Sequence, residues 1–274
     1  MRPTVALLAA GIVAFATAAE AVQPIEIPQG QSALPGYLFR PEGRGPFPAV
    51  VALHGCGGLV SRPGRVGALF TEWGNRLAAA GLAVVFPDSF TSRGVASQCG
   101  VRDRKVRATH EQTADAMAAR AWLQSQPWVI KERVALLGWS DGGVATLWAV
   151  RRRAGAADGS SEFRSAVALY PGCRALSNRA WSARVPTLIL IGRADDFTPA
   201  VACEQMVAGA RGRSARATII VYPGAYHGFD RPDYPVRELT GLASTPDGSG
   251  KAHFGTHPAA RADALRRVPH WLAR

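Results

Sequence analysis

The chain has 274 residues, 47% of them apolar, and a net charge of +12. That length suits one large α/β enzyme domain, and that apolar content supports a core without help from a metal or an oligomer. The basic residues are arginines except for Lys105, Lys131 and Lys251, and they are scattered among acids. Their one dense run, Arg151–Arg152–Arg153, falls at the expected end of a helix, where it complements the helix dipole. No nucleic-acid motif accompanies it, so the charge argues for no nucleic-acid partner and at most a loose attraction to anionic surfaces or acidic substrates.

Residues 1–21 read as a secretory signal. Arg2 supplies the positive end, "VALLAAGIVAFA" the apolar stretch, and Ala19-Glu20-Ala21 a cleavage site, with Ala16-Thr17-Ala18 as a second one. Cleavage then falls between Ala18 and Ala21. The apolar run is short for a membrane span, with an uncleaved anchor as the alternative. The expectation is an exported protein, periplasmic or secreted, with no stable membrane insertion after cleavage and one domain over 22–274. Cys56, Cys99, Cys173 and Cys203 are an even set, which in an exported protein points to disulfides, four buried thiols being the alternative. None has C-x-x-C spacing, so no zinc or redox motif is expected.

From residue 36 onward, strand-length apolar runs alternate with helical patterns. "GYLFRP" and "FPAVVALHG" are strands divided by a Gly/Pro turn. "VGALFTEWGNRLAAAG" is helical and stops at Gly81. "LAVVFPD" is a buried strand, and "KVRATHEQTADAMAARAWLQSQ" is helical. "RVALLGW" and "GGVATLWAVRRR" form a strand and a helix. "SAVALYPG", "PTLILIGR" and "TIIVYPG" are strands, the last two separated by the helix "PAVACEQMVAGAR". "PAARADALRRVPHWLAR" closes the chain as a helix. Residues 228–257 are rich in Gly and Pro and weakly periodic, as in a functional loop. Tyr37, Trp73, Trp122 and Trp148 read as packing residues. Continuous apolar strands alternating with helices predict a mostly parallel sheet covered on both faces, a three-layer α/β/α sandwich.

Ligands of such sheets bind beyond the C-terminal strand ends. "GWSDGG" lies between a strand and a helix and fits G-x-S-x-G around Ser140, with small residues where backbones must pass closely. A glycine-rich turn with an idle serine is the alternative. Two later strand ends supply partners. "IGRADDFTPA" offers Asp195, preferred over Asp196, which is free to cap the next helix. "YPGAYHGFD" offers His227. His110, His257 and His270 fall in or near helical patterns, His54 closes a strand, and His253 is a weaker rival in the long loop. The order Ser140, Asp195, His227 is that of α/β-hydrolases. His227 would take the serine proton and Asp195 would orient His227, while the N–H groups of Asp141 and Cys56 would bind an oxyanion. That serine chemistry requires no metal or organic cofactor.

These segments, together with "PEGRGPFPAVVALHGCGGL" and "PDSFTSRG", resemble the dienelactone hydrolase-like family of the α/β-hydrolase superfamily from about residue 36 to the end. The resemblance implies an eight-stranded sheet and hydrolysis of a small-molecule ester or lactone, without fixing the oligomeric state. Two departures shift the expected substrate away from dienelactone. The namesake enzymes carry cysteine where this chain has Ser140, and glutamate where it has "HGCGG". Their substrate-binding arginine points to Arg93, with a loop salt bridge as the alternative. The fold also implies the short-range pairings Cys56–Cys99 and Cys173–Cys203. Two enzyme alternatives are a peptidase related to prolyl oligopeptidases, ranked lower because little chain lies between the signal and the first strand, and a polyester hydrolase. A non-catalytic binding protein on the same fold is the remaining one.

Overall fold

The computed structural model describes residues 22–62, 64–152 and 162–274. The signal-like segment 1–21 and Arg153 lie outside the described residues. In chain order the elements are β1 (Gln23–Gln29), β2 (Ser32–Phe39), β3 (Phe47–Leu53), the short β4 (Val60–Arg62) and β5 (Arg65–Val66), α1 (Ala68–Ala79), β6 (Ala83–Pro87), α2 (Glu111–Ser125), β7 (Val129–Trp139) and α3 (Asp141–Ala149). There follow β8 (Ala166–Leu169), α4 (Arg174–Ser177), β9 (Thr187–Gly192), α5 (Ala200–Gly209), β10 (Ala217–Tyr222), β11 (Arg237–Leu239), β12 (Ala252–Phe254) and α6 (Pro258–Leu272).

Eight strands form one sheet in the order β1-β2-β6-β3-β7-β8-β9-β10. Pairing is antiparallel for β1 with β2 and for β2 with β6, and parallel from β6 to β10. The interior parallel strands β6 and β9 are buried on both faces, which is why "AVVFP" and "TLILIG" read as unbroken apolar runs.

Strand alternation shows how the layers are arranged. Gly138 and Trp139, adjacent in β7, face opposite sides. A Cβ on Gly138 would press on Thr146 of α3, whereas the Trp139 ring lies against Phe70 and Trp73 of α1. The two helices therefore cover opposite faces. An Arg261–Glu72 hydrogen bond of 2.6 Å joins α6 to α1, and α2 packs against α3. The result is the expected α/β/α sandwich.

Three elements differ from expectation. The edge strand β1 has no strong period, and its Pro24 and Pro28 argue against a strand; a sheet edge tolerates them because an outer N–H needs no partner. The second helix begins at Glu111 rather than Lys105, because the Glu111 carboxylate accepts the Arg107 N–H at 2.7 Å and holds the preceding residues in a turn. α3 ends at Ala149, before the arginine run; Arg151 instead bridges to Ala183 and lays its guanidinium over Trp148. Among the described residues no helix is long and apolar enough to cross a membrane.

Candidate active site

Parallel strands of the sheet deliver the singled-out residues at their C-terminal ends. Ser140 follows β7, β9 leads into Asp195, and β10 leads into His227. His227 Nε2 lies 3.0 Å from Ser140 Oγ, and His227 Nδ1 lies 2.9 Å from Asp195 Oδ2. Both His227 and Asp195 are buried. The structure brings these three side chains together.

The elbow explains the glycines around the serine. Ser140 has φ +54°, a left-handed conformation that costs a non-glycine residue on the order of 1–3 kcal/mol. That turn drives the backbones together. A Cβ on Gly138 would sit 2.1 Å from the Gly142 oxygen, and one on Gly142 would sit 2.1 Å from the Leu53 oxygen. Only glycine fits at either position. Asp141 opens α3, where a backbone N–H has no acceptor within the helix. The loop after β3 faces the same point, since a Cβ on Gly55 would lie 3.9 Å from Ser140 Oγ. Cys56 follows Gly55 directly in this loop, and Asp141 follows Ser140.

Asp195 is fixed on every side. Its Oδ1 accepts the N–H groups of Phe197 (3.0 Å) and Thr198 (2.7 Å), and its Oδ2 the Thr198 hydroxyl (3.0 Å). Asp196 points elsewhere, pairing with His253 at 2.7 Å. Aromatic rings enclose His227, with Tyr170 at 4.5 Å and Phe197 at 4.9 Å between centroids.

Behind these residues lies a group that the sequence reading missed. The fully buried Asp230 accepts the indole N–H groups of Trp73 and Trp139, both at 2.8 Å, and the Tyr170 hydroxyl at 2.7 Å. Burial pushes its carboxyl up, and the three donors oppose that shift. Burial and then the Asp230 charge push the Tyr170 hydroxyl well up, so it stays a donor. The only sequence signal was position: Asp230 follows His227 by three residues.

Arg93 is a correction. Its guanidinium grips the buried Asp115 carboxylate through two contacts of 2.8 Å and the Ser89 carbonyl at 2.7 Å. It does not line the cleft at Ser140. The loop salt bridge is what forms, because a carboxylate buried as deeply as Asp115 needs a counter-charge. Arg104 reaches the cleft instead and pairs with Asp141. The cysteines form Cys56–Cys99 and Cys173–Cys203, as the fold implied. His110 and His257 stand at the starts of α2 and α6, and His270 lies within α6. The His54 Nδ1–H donates to the Gly55 carbonyl at 2.8 Å, which shapes the turn after β3.

The cleft beside Ser140 measures about 510 Å³ and is walled by Arg104, Arg174, Phe197, Gln205 and the Ser244–Pro246 loop. A larger groove of about 1670 Å³ along α1 and α6 contains none of the three aligned residues. Among the described residues no cluster of side chains could hold a metal ion.

Comparison with known proteins identifies the family and the fold. The family model for the dienelactone hydrolase family matches residues 34–274. No curated protein matches the chain. Among solved structures, a putative dienelactone hydrolase from Klebsiella pneumoniae superposes with a TM-score of 0.69 at 21% identity, covering 93% of this chain and 98% of its own. Thermogutta terrifontis esterase 2, phosphoramylated by tabun, gives 0.64 at 18% identity, covering 94% of this chain and 96% of its own. The Pyrococcus horikoshii acylaminoacyl peptidase gives 0.58 at 18% identity, covering 76% of this chain and 38% of its own. These likenesses bear out the fold. The chain is a hydrolase of α/β-hydrolase fold, and it belongs to the dienelactone hydrolase family.

Proposed function

We propose that the protein is an exported serine hydrolase that cleaves carboxylic esters or lactones through an acyl-enzyme on Ser140. The relay of contacts from Ser140 Oγ to His227 Nε2 at 3.0 Å and from His227 Nδ1 to Asp195 Oδ2 at 2.9 Å carries this reading. His227 Nε2 removes the hydroxyl proton as Ser140 Oγ attacks the ester carbonyl. The N–H groups of Asp141 and Cys56 hold the oxyanion. Collapse breaks the bond to the alkoxy group, which leaves with the proton from His227. Water then attacks the acyl-enzyme by the same steps in reverse. Asp195 fixes the His227 tautomer and stabilises the imidazolium.

The wall of the cleft favours esters and lactones over peptides with a free amine. Its one carboxylate among the described residues is Asp141, already paired with Arg104, so nothing there would anchor an ammonium group. Export rests on the signal-like residues 1–21 and on the two disulfides. The purified protein and its Ser140→Ala variant are to be assayed on short p-nitrophenyl esters, a γ-lactone and aminoacyl-p-nitroanilides. Ester or lactone turnover that disappears in the variant is expected. Turnover of anilides alone would make it a peptidase, and inertness to all of them and to a fluorophosphonate would overturn the reading.

A further inference from the structure

Both oxyanion donors belong to residues whose side chains are held by the same loop. The Cys56 sulfur is bonded to Cys99, and the Asp141 carboxylate is paired with Arg104. Cys99 and Arg104 stand five residues apart, between β6 and α2.

That loop is built to keep its shape. The buried Gln98 side chain spans it, donating to the Val106 carbonyl at 2.8 Å and accepting the Val106 N–H at 3.1 Å. The Gln98 N–H donates to the Cys56 carbonyl at 2.8 Å, so Cys56 is gripped through backbone as well as sulfur. On its outer side the Cys99 carbonyl accepts the Ala243 N–H at 2.8 Å. Gly100 meets Gly241 so closely that a Cβ would lie 2.8 Å from its carbonyl oxygen.

We propose that residues 97–107 form a clamp that sets the oxyanion hole. Cys99 positions the Cys56 donor through the disulfide, and Arg104 positions the Asp141 donor through the ion pair. This rests on the serine hydrolase reading above. The physical need is twofold. Preorganised donors stabilise an oxyanion because they need not reorient when charge appears, and a small displacement forfeits part of that gain. Asp141 also carries a negative charge on the residue whose N–H must face a second one. The Arg104 guanidinium cancels that charge. Cys99 and Arg104 touch no reacting atom; they act through Cys56 and Asp141.

The test compares wild type with Cys99→Ala, Arg104→Gln and Arg104→Lys. For each, kcat and KM on p-nitrophenyl acetate are measured, together with the Ki of an arylboronic acid, whose tetrahedral adduct with Ser140 presents an oxygen to the hole. Complete loss of one donor costs about 10²–10³ in rate, so displacement of one is expected to lower kcat by roughly tenfold or more. The boronate Ki should rise by the same factor in Cys99→Ala and Arg104→Gln, with KM nearly constant and most of kcat recovered in Arg104→Lys. A fall in melting temperature with kcat and boronate Ki unchanged would make the loop merely structural and overturn the clamp. If Cys99→Ala does not fold, the partly exposed Arg104 variants decide the matter. A wild type that neither reacts with fluorophosphonate nor hydrolyses ester would overturn the hydrolase reading itself. A labelled, active wild type with unaltered variants would overturn the clamp alone.

Discussion

The Tyr170 hydroxyl donates to Asp230 at 2.7 Å while its ring lies 4.5 Å from His227. Asp230 also holds the indole of Trp139, the residue before Ser140. One buried carboxylate thus supports both the serine and the histidine from behind. In Asp230→Asn, one oxygen must serve donors that two oxygens served before, and an amide N–H2 faces another donor. The expected cost is about 2 kcal/mol of stability, since a buried donor left unpaired costs roughly 1–3 kcal/mol. kcat should fall several-fold with KM little changed. Denaturant unfolding and steady-state kinetics on one preparation check this, and unchanged stability would refute it.

Asp195 and Asp196 are adjacent but serve different histidines, His227 and His253. Asp195→Asn should reduce kcat by about 10³–10⁴, the size expected when a triad histidine loses its orienting carboxylate. Asp196→Asn should leave kcat within a few-fold of wild type, because it loosens only the attachment of β12. Equal losses in the two variants would show that Asp195 has no special role.

His54 gives the protein an acid limit. Burial pushes its imidazole below the usual histidine range, against the opposing Gly55 carbonyl and the carboxylates of Asp88, Asp115 and Asp141. Its Nε2 is buried with no hydrogen-bond partner among the described residues. The folded state therefore resists a proton that the unfolded chain accepts near pH 6.5. Stability from neutral His54 is complete above that value and is lost as pH falls below it. Melting curves of wild type and His54→Asn from about pH 7.5 to about pH 5 should converge, the wild type falling more steeply. Parallel curves would assign the acid limit to other groups.

Much of the fold was legible because double-sided burial leaves a plain mark. The parallel strands β3 and β6 to β9 are runs of apolar residues with turn signals at their ends. The strand β1 was not, since an edge strand with prolines carries little local signal. Of the site, Ser140 was legible from the glycines its strained turn demands, and Asp195 and His227 from their places after strands. Arg93 misled because a sequence shows a charge but not its partner; the partner, Asp115, lies 22 residues away on α2.

By itself the sequence determined the layer architecture and the order Ser140, Asp195, His227. Both depend on local pattern: the period of burial, and the small residues that a tight turn requires. Tertiary structure alone decided which cations meet which carboxylates, and that Asp230 gathers Trp73, Trp139 and Tyr170 across as many as 157 residues. It also decided that one loop grips both Cys56 and Asp141. Such contacts join residues distant along the chain, so their geometry exists only once the sheet has brought its strand ends together.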